Sequence, residues 1–562
     1  MARTVAIGNQ DFEGIIANHC FYIDKTNFIK EWWESMDAVT LITRPRRFGK
    51  TLNMDMVNKF FSVEYAGRED LFAELSIWKD EKYRELQGTY PVLSLSFANI
   101  NGNTYQSVQN KIRILICQLF RKYTPFFQAD DSMDETDKKL SLELSSNMDC
   151  DTLAVSLNLL SELLMKHYGK KVIILLDEYD TPVQEAYVNG YWDEITSFIR
   201  SLFNSTFKTN PYLERAILTG ITRVSKESIF SGLNNLVVVT TTTNQYTDSF
   251  GFTQEEVSDA LAEYGLTEQE DEVKYWYDGF TFGERTDIYN PWSIINFLRY
   301  KQFDTYWANT SSNSLVNQLV REGNNEIKQK MEDLLSGGTI RTEVDEQIIF
   351  QQIGHSDTAI WGLLLASGYL KVEKFGFDAG RRKKEYELKL TNEEVQIMFE
   401  HMIRDWFTKR NIYYNDFIKA LLAGDVSAMN LYMNHITQDI FSYFDTGTKP
   451  SKTAKPERFY HGFVLGLIVE LFDWYFITSN RESGYGRYDV MLKPKNKTDD
   501  AIIIEFKVRD AKKEDTLEDT VKTALEQIEE MHYEANMNVE GIPSARIRKY
   551  GFAFEGKDVL IG

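Results

Sequence analysis

The sequence predicts an α/β chain in three parts: a helix-flanked parallel sheet over 1–247, a mainly helical region over 248–410, and a helical linker with a smaller α/β unit over 411–562. Three observations point there. Over the first 240 residues short apolar runs alternate with longer amphipathic stretches such as "SVQNKIRILICQLFRKY", the pattern of a parallel sheet with crossover helices. From about Asp248 to Arg410 the strand signal fades and helical periodicity dominates. Near the end, two strand-like segments bearing acids are separated by the polar turn "KPKNKTDD".

Bulk composition narrows the class. A chain of 562 residues exceeds what one hydrophobic core supports, so several domains are expected. Hydrophobic residues make up 43% and aromatics 14%, as in folded globular proteins. The net charge of −21 argues against general coating of DNA, while leaving room for a local basic site. Cys20, Cys117 and Cys150 share no metal-ligand spacing and are odd in number, which reads as buried thiols in a reducing compartment. The N-terminal residues lack an apolar signal core, and "FVLGLIVELF" is too short for a membrane span and contains Glu470. A cytoplasmic protein with no membrane contact is the expectation.

In the first part, "AVTLITRP", "YPVLSLSF", "KKVIILLDE" and "RAILTGIT" read as buried strands. Ligands of such sheets bind beyond the carboxyl ends of the strands. There "AVTLI" runs into "TRPRRFGKT" and then into the helical "LNMDMVNKFF". Gly49, Lys50 and Thr51 end this loop as a phosphate-binding P-loop ends, although Arg44 stands where glycine usually opens it. In a P-loop, backbone N–H groups and the helix start hold the phosphates, the lysine neutralises charge, and the hydroxyl binds Mg²⁺. Arg46 and Arg47 add positive charge, and Pro45 favours an extended approach to the loop. The second motif is "KKVIILLDEYD", an apolar strand ending in Asp177 and Glu178. That is a Walker B layout: Asp177, with Thr51, orders the metal shell and Glu178 polarises water. Thr219, Thr222 and Arg223 follow the next strand. Arg223 either meets developing phosphate charge or simply caps that strand.

The middle region opens with a capping box, Thr253 and Glu256, at the start of "TQEEVSDALAEYG". "AIWGLLLASGYLKV" reads as helix, glycine turn and strand, followed by a charged hairpin around "DAGRRKKE", so the region is winged-helix-like. The polar "DTGTKPSKTAKPE" is a loop.

In the last part, Asp489 ends "SGYGRYD" and Glu505 and Lys507 lie on "AIIIEFKV". Alternation points Glu505 and Lys507 to one face, and pairing of the two strands brings Asp489 beside them. An Asp on one strand and Glu-x-Lys on the next is the PD-(D/E)XK nuclease signature, with Tyr488 where the proline of that name stands. The carboxylates Asp489 and Glu505 hold Mg²⁺, and Lys507 positions water or steadies the phosphate. Gln527, on the following helix, joins the set. Glu457 either completes the metal shell or acts as a first-turn acid. His461 reads as a packed histidine, and Arg481 and Arg487 are candidate phosphate contacts. Phe459, Phe463 and Leu467 mark the buried face of the preceding helix.

Taken with "FYIDKT", "TGITRVSKESIFSGLNNL", "IYNPWSIINFL" and "NTSSNSL", these motifs make the chain resemble, over nearly its whole length, the bacterial AAA-ATPase-like proteins with a C-terminal PD-(D/E)XK nuclease-like domain. The resemblance implies a P-loop NTPase sheet, a helical lid or winged-helix-like region and a restriction-endonuclease-like domain. It implies ATP and Mg²⁺ as cofactors, accepts arginine at the start of the loop, and puts Asp24 and Lys25 near the nucleotide. Three functions remain open. One is an ATP-gated nuclease acting on DNA. Another is a nucleotide-driven switch whose nuclease-like domain is a binding platform, favoured by the acidic charge. The third is an ATPase acting on proteins. A homo-oligomer is compatible with each.

Overall fold

The computed structural model describes all residues except 1, 224–228, 309–315, 317–318, 320–324, 336, 345–356, 379–382, 409–411, 442–463, 465–467, 469–470, 472–473, 480–481, 484–485, 488, 497, 511–512, 540 and 556–557. It divides into two compact units, Met1–Ser312 with Thr339–Gln396, and Asn313–Gly338 with Ile397–Gly562. The first unit therefore takes in much of the span 248–410 expected as a separate middle region.

The first unit is built on five parallel strands: β1 (Val39–Thr43), β2 (Val92–Ser96), β3 (Val172–Asp177), β4 (Leu213–Gly220) and β5 (Leu236–Val239). Their order is β2-β3-β4-β1-β5. Every residue of β1 and β3 is buried, which is why these strands read as unbroken apolar runs rather than alternating ones. β1 and β3 both lie next to β4, so the loop after β1 and the acids ending β3 emerge on one edge, one strand apart.

Six further strands are found among the described residues, the last two being the strand and charged hairpin that the sequence suggested. β6 (Phe252–Thr253), β7 (Phe280–Phe282) and β8 (Arg285–Tyr289) form one sheet, and β9 (Ile340–Thr342), β10 (Leu370–Asp378) and β11 (Lys383–Leu390) another. β6, β7 and β9, of two or three residues each, are too short to print a period, whereas β10 and β11 pair antiparallel as the hairpin around "DAGRRKKE". The capping box at Thr253 and Glu256 is present, as are the helix, glycine turn and strand of "AIWGLLLASGYLKV".

The second unit carries the sheet β12 (Tyr475–Ser479), β15 (Val490–Pro494), β16 (Ala501–Val508), β17 (Ile547–Glu555) and β18 (Asp558–Ile561), in that spatial order. A two-stranded ribbon, β13 (Glu482–Ser483) and β14 (Gly486–Arg487), precedes β15. β15 and β16 pair antiparallel as expected, with Val490 opposite Ile504, while β16 and β17 run parallel. The helix Leu517–Glu530 lies so close to β17 that a Cβ at Gly551 would sit 2.8 Å from the Val521 carbonyl oxygen and 3.0 Å from the Ala524 Cβ. Only glycine permits that approach. Gly551→Val is expected to destabilise the second unit by about 1–3 kcal/mol through overpacking, read as a lower melting temperature.

Candidate functional site

The loop after β1 is held from five directions. Arg44 is fully buried, and its guanidinium donates to the carbonyls of Thr43 (3.1 Å), Thr240 (2.7 Å) and Gln245 (3.1 Å). It also lies 4.4 Å from the Phe282 ring centroid. Burial pulls the Arg44 pKa down to about 9, which leaves it charged at neutral pH. Pro45 packs against Gly368, whose φ of +85° and 2.9 Å clearance to the proline ring exclude a side chain. The Arg46 carbonyl accepts hydrogen bonds from Asn290 Nδ2 (3.3 Å) and Trp307 Nε1 (3.0 Å). The Arg47 guanidinium stacks on Trp292 at 4.3 Å, and Phe48 packs on Phe280 and Phe282. Gly49, at φ +79°, then caps the helix Lys50–Phe61 in the left-handed conformation that glycine tolerates.

Lys50 and Thr51 open that helix. Lys50 Nζ is buried and donates back to the carbonyls of Arg44 (2.9 Å) and Pro45 (2.8 Å). Burial pushes its pKa down to about 8 against the pull of Asp177, Glu178 and Asp180. Thr51 Oγ1 donates to Asp177 Oδ2 at 2.7 Å, joining the two motifs across the sheet edge. The other Asp177 oxygen accepts from Thr219 Oγ1. Glu178 is half-buried at φ 50°, its carboxyl raised by burial and then by Asp177.

A cavity of about 420 Å³ is lined by Lys50, Thr51 and Glu178, whereas Asp177 is not among its lining residues. Its lining mixes the polar Arg46, Arg47, Gly49, Lys50, Thr51 and Glu178 with the apolar Val5, Phe21, Phe252, Trp292 and Ile295. Phosphates suit the first set and a flat base the second, with Lys50 already desolvated. Lys25 lines the cavity, its ammonium on Glu256 and the Asp248 carbonyl. Asp24 instead binds Thr26 and the Ser76 N–H, and is not among the lining residues. From the end of β4, Ile221 reaches the lining, whereas Arg223, two residues on and half-buried, does not.

Sequence reasoning missed two features. Asp180 is buried and accepts from Ile221 N, Thr222 N, Thr222 Oγ1 and Gln184 Nε2, so it clamps the ends of β3 and β4 together. The third acid of "LLDEYD" was its signal. Glu394 is fully buried and accepts from Ser293 Oγ (2.8 Å), Trp307 N (2.5 Å) and Ala308 N (3.4 Å), steadying the segments that grip Arg46. Nothing in its local sequence marks it.

In the second unit the register of β15 and β16 sets Asp489 across from Glu505. Asp489 Oδ2 accepts from the Phe506 N–H at 2.8 Å. Glu505 is buried, and its Oε1 accepts from Gln527 Nε2 and from Lys507 Nζ at 3.4 Å. Gln527 Nε2 also reaches the Tyr533 hydroxyl at 3.0 Å. Glu505 Oε2 is buried with no hydrogen-bond partner. Burial and then Asp489 push the Glu505 carboxyl up to about 8. An orphaned carboxylate oxygen facing a second acid fits a divalent cation. Among the described residues no group of three or more His, Cys, Asp or Glu converges as a metal cluster. Glu457, Phe459, His461, Phe463, Leu467 and Arg481 lie outside the described residues, as does the side chain of Arg487. No helix among the described residues is long and apolar enough to cross a membrane.

Glu394 gives a pH test. Burial raises its carboxyl to about 7 in the folded chain, above the ordinary carboxylate value, so the folded state binds its proton more tightly than the unfolded state does. Stability is therefore expected to fall as pH rises from about 4.5 to 7, by on the order of 3 kcal/mol. In Glu394→Gln that share of the slope should vanish, as read by denaturant unfolding across this range.

Comparison with known proteins agrees with this geometry. Residues 6–230 match the AAA-ATPase-like family described as "Predicted AAA-ATPase", and residues 455–562 match the PD-(D/E)XK nuclease superfamily. An uncharacterized protein from the vnfD 5' region of Azotobacter chroococcum mcd 1 is 25% identical over 403 residues, covering 70% of this chain and 68% of the relative. The chain thus joins an N-terminal AAA-ATPase-like domain to a C-terminal domain of the PD-(D/E)XK nuclease superfamily.

Proposed function

We propose that the chain binds and hydrolyses ATP with Mg²⁺ in the cavity over Lys50, and that its C-terminal domain is a Mg²⁺-dependent nuclease cutting DNA phosphodiesters under control of the bound nucleotide. The observation that carries the nuclease half is Glu505. A buried carboxylate oxygen without a partner, set against Asp489 and within reach of Lys507, has no structural purpose that a neutral side chain would not serve better. The ATPase half is supported by Thr51 and Asp177 meeting at the strand ends beside a desolvated lysine.

Each residue has a task in this account. Gly49 and the helix start offer N–H groups to phosphate, and Lys50 exchanges its two carbonyl partners for phosphate oxygens. Thr51 and Asp177 hold the cation, and Glu178 takes a proton from the attacking water; burial has already raised its basicity. Arg46 and Arg47 line the same cavity as Lys50. Arg223 remains a proposed contact to developing charge. In the second domain Asp489 and Glu505 hold the metal, which supplies Lewis acidity toward the phosphate. Lys507 orients water or the scissile phosphate, and Gln527 fixes the Glu505 carboxylate.

A second function is favoured by the net charge of −21: a nucleotide-driven switch with a nuclease-like binding platform. One experiment tests the nucleotide site that both readings share, and a second separates them. Saturating Mg-ATP should raise the melting temperature of the wild-type chain, and Lys50→Ala should lose that shift; an equal shift in both removes the loop from the site. Plasmid and linear DNA incubated with Mg²⁺ or Mn²⁺, with and without ATP, should be cut by wild type and left intact by Glu505→Ala/Lys507→Ala. DNA left intact by both under every condition refutes the nuclease and leaves the switch.

A further inference from the structure

The sheet of the second unit carries a patch that the proposed chemistry does not use. β12 is an edge strand and pairs antiparallel with β15, placing Phe476 opposite Lys493. Trp474 and Phe476 are 57% and 53% exposed, unusual for large aromatic side chains lying so close together. The ammonium groups of Lys493 and Lys495 lie 5.8 Å and 5.2 Å from the Phe476 ring centroid. Lys495 N donates to the Trp474 carbonyl, so the backbone fixes this end of the pair.

The direction the patch faces follows from packing. Tyr475 and Ile477 join the cluster that holds Val490, Leu492, Ile502 and Ile504. Alternation turns Phe476 to the opposite face, where Met491 and Ile503 pack beneath Ile528 and Tyr533. Asp489 and Glu505 belong to that same face, two residues along from Met491 and Ile503, and Lys507 lies two residues beyond Glu505. Lys493 is four residues from Asp489 on β15, a separation of roughly 13 Å at the rise of a strand. Aromatic rings and ammonium groups thus share a sheet face with the carboxylate–lysine set.

We propose that Trp474, Phe476, Lys493 and Lys495 form a binding track for single-stranded nucleic acid that leads across this face toward Asp489 and Glu505. The rings stack on unpaired bases, and the ammonium groups neutralise the phosphates between them. A purely apolar protein partner leaves the lysines without a role, and an acidic peptide leaves the two flat rings without one. A strand with exposed bases uses both. The direction of the track rests on the nuclease proposed above, but binding to it does not require cleavage.

The test uses the full chain in EDTA, with a fluorescein-labelled DNA single strand and the duplex of the same sequence, followed by anisotropy. Wild type should bind the single strand more tightly than the duplex. Trp474→Ala/Phe476→Ala should weaken single-strand binding by roughly tenfold or more, and Phe476→Leu alone should weaken it less. Lys493→Ser/Lys495→Ser should reduce the dependence of log affinity on log salt. Unchanged melting temperatures show that the variants fold; for any that does not, Phe476→Leu and the salt slope carry the test. Wild type failing to bind, folded variants binding as wild type does, or polyglutamate competing as well as the single strand would each overturn the track. The nuclease is judged separately: cleavage without any effect of the patch variants sinks the track alone, whereas patch-dependent binding without cleavage sinks the nuclease alone.

Discussion

The first unit depends on one buried cation. Arg44 occupies the position at which a phosphate loop usually turns on glycine, and it solves the same problem by different means. Its guanidinium collects three backbone carbonyls and a ring face, so the loop is fixed by hydrogen bonds to its surroundings rather than by conformational freedom at its first residue. Moving a guanidinium out of water is costly, and the lowered pKa of Arg44 is the sign of that cost. Its hydrogen bonds offset the cost only while Thr240, Gln245 and Phe282 stay in place. The loop and the segments around it must therefore hold their shape together.

The same constraint organises the chemistry. With the loop braced from outside, Lys50 can be buried against loop carbonyls without a carboxylate touching it, a state that phosphate oxygens relieve. Thr51 and Asp177 meet because β1 and β3 flank β4, and Asp180 and Thr219 hold the ends of β3 and β4 in register. The second unit stores its tension differently. There a partnerless oxygen on Glu505 sits beneath a helix brought close by Gly551, with Gln527 and Lys507 sharing the other oxygen.

Much of this was legible in the sequence. The buried strands printed themselves as apolar runs, and the groups at their ends were found because chemistry in parallel sheets sits there. Pairing of Asp489 with Glu505 followed from alternation and a polar turn. What stayed hidden was long-range or local in the wrong way. Asn290, Trp307 and Glu394 act on a loop more than 240 residues earlier, and no periodicity connects them. Arg44 reads in sequence only as a departure from the glycine that usually opens such a loop, while in the fold it lines no part of the cavity and braces the backbone. β6, β7 and β9 are too short to announce themselves, and nothing in the local sequence marks Trp474 and Phe476 as exposed.

The central claim is that a phosphate loop opened by a buried arginine is a working nucleotide site. Calorimetric titration of the intact chain with ATP in the presence of Mg²⁺ tests it most directly. Saturable binding to a single class of sites is the result this structure predicts. No detectable heat of binding across temperatures and buffers, with the chain shown to be folded, would contradict it.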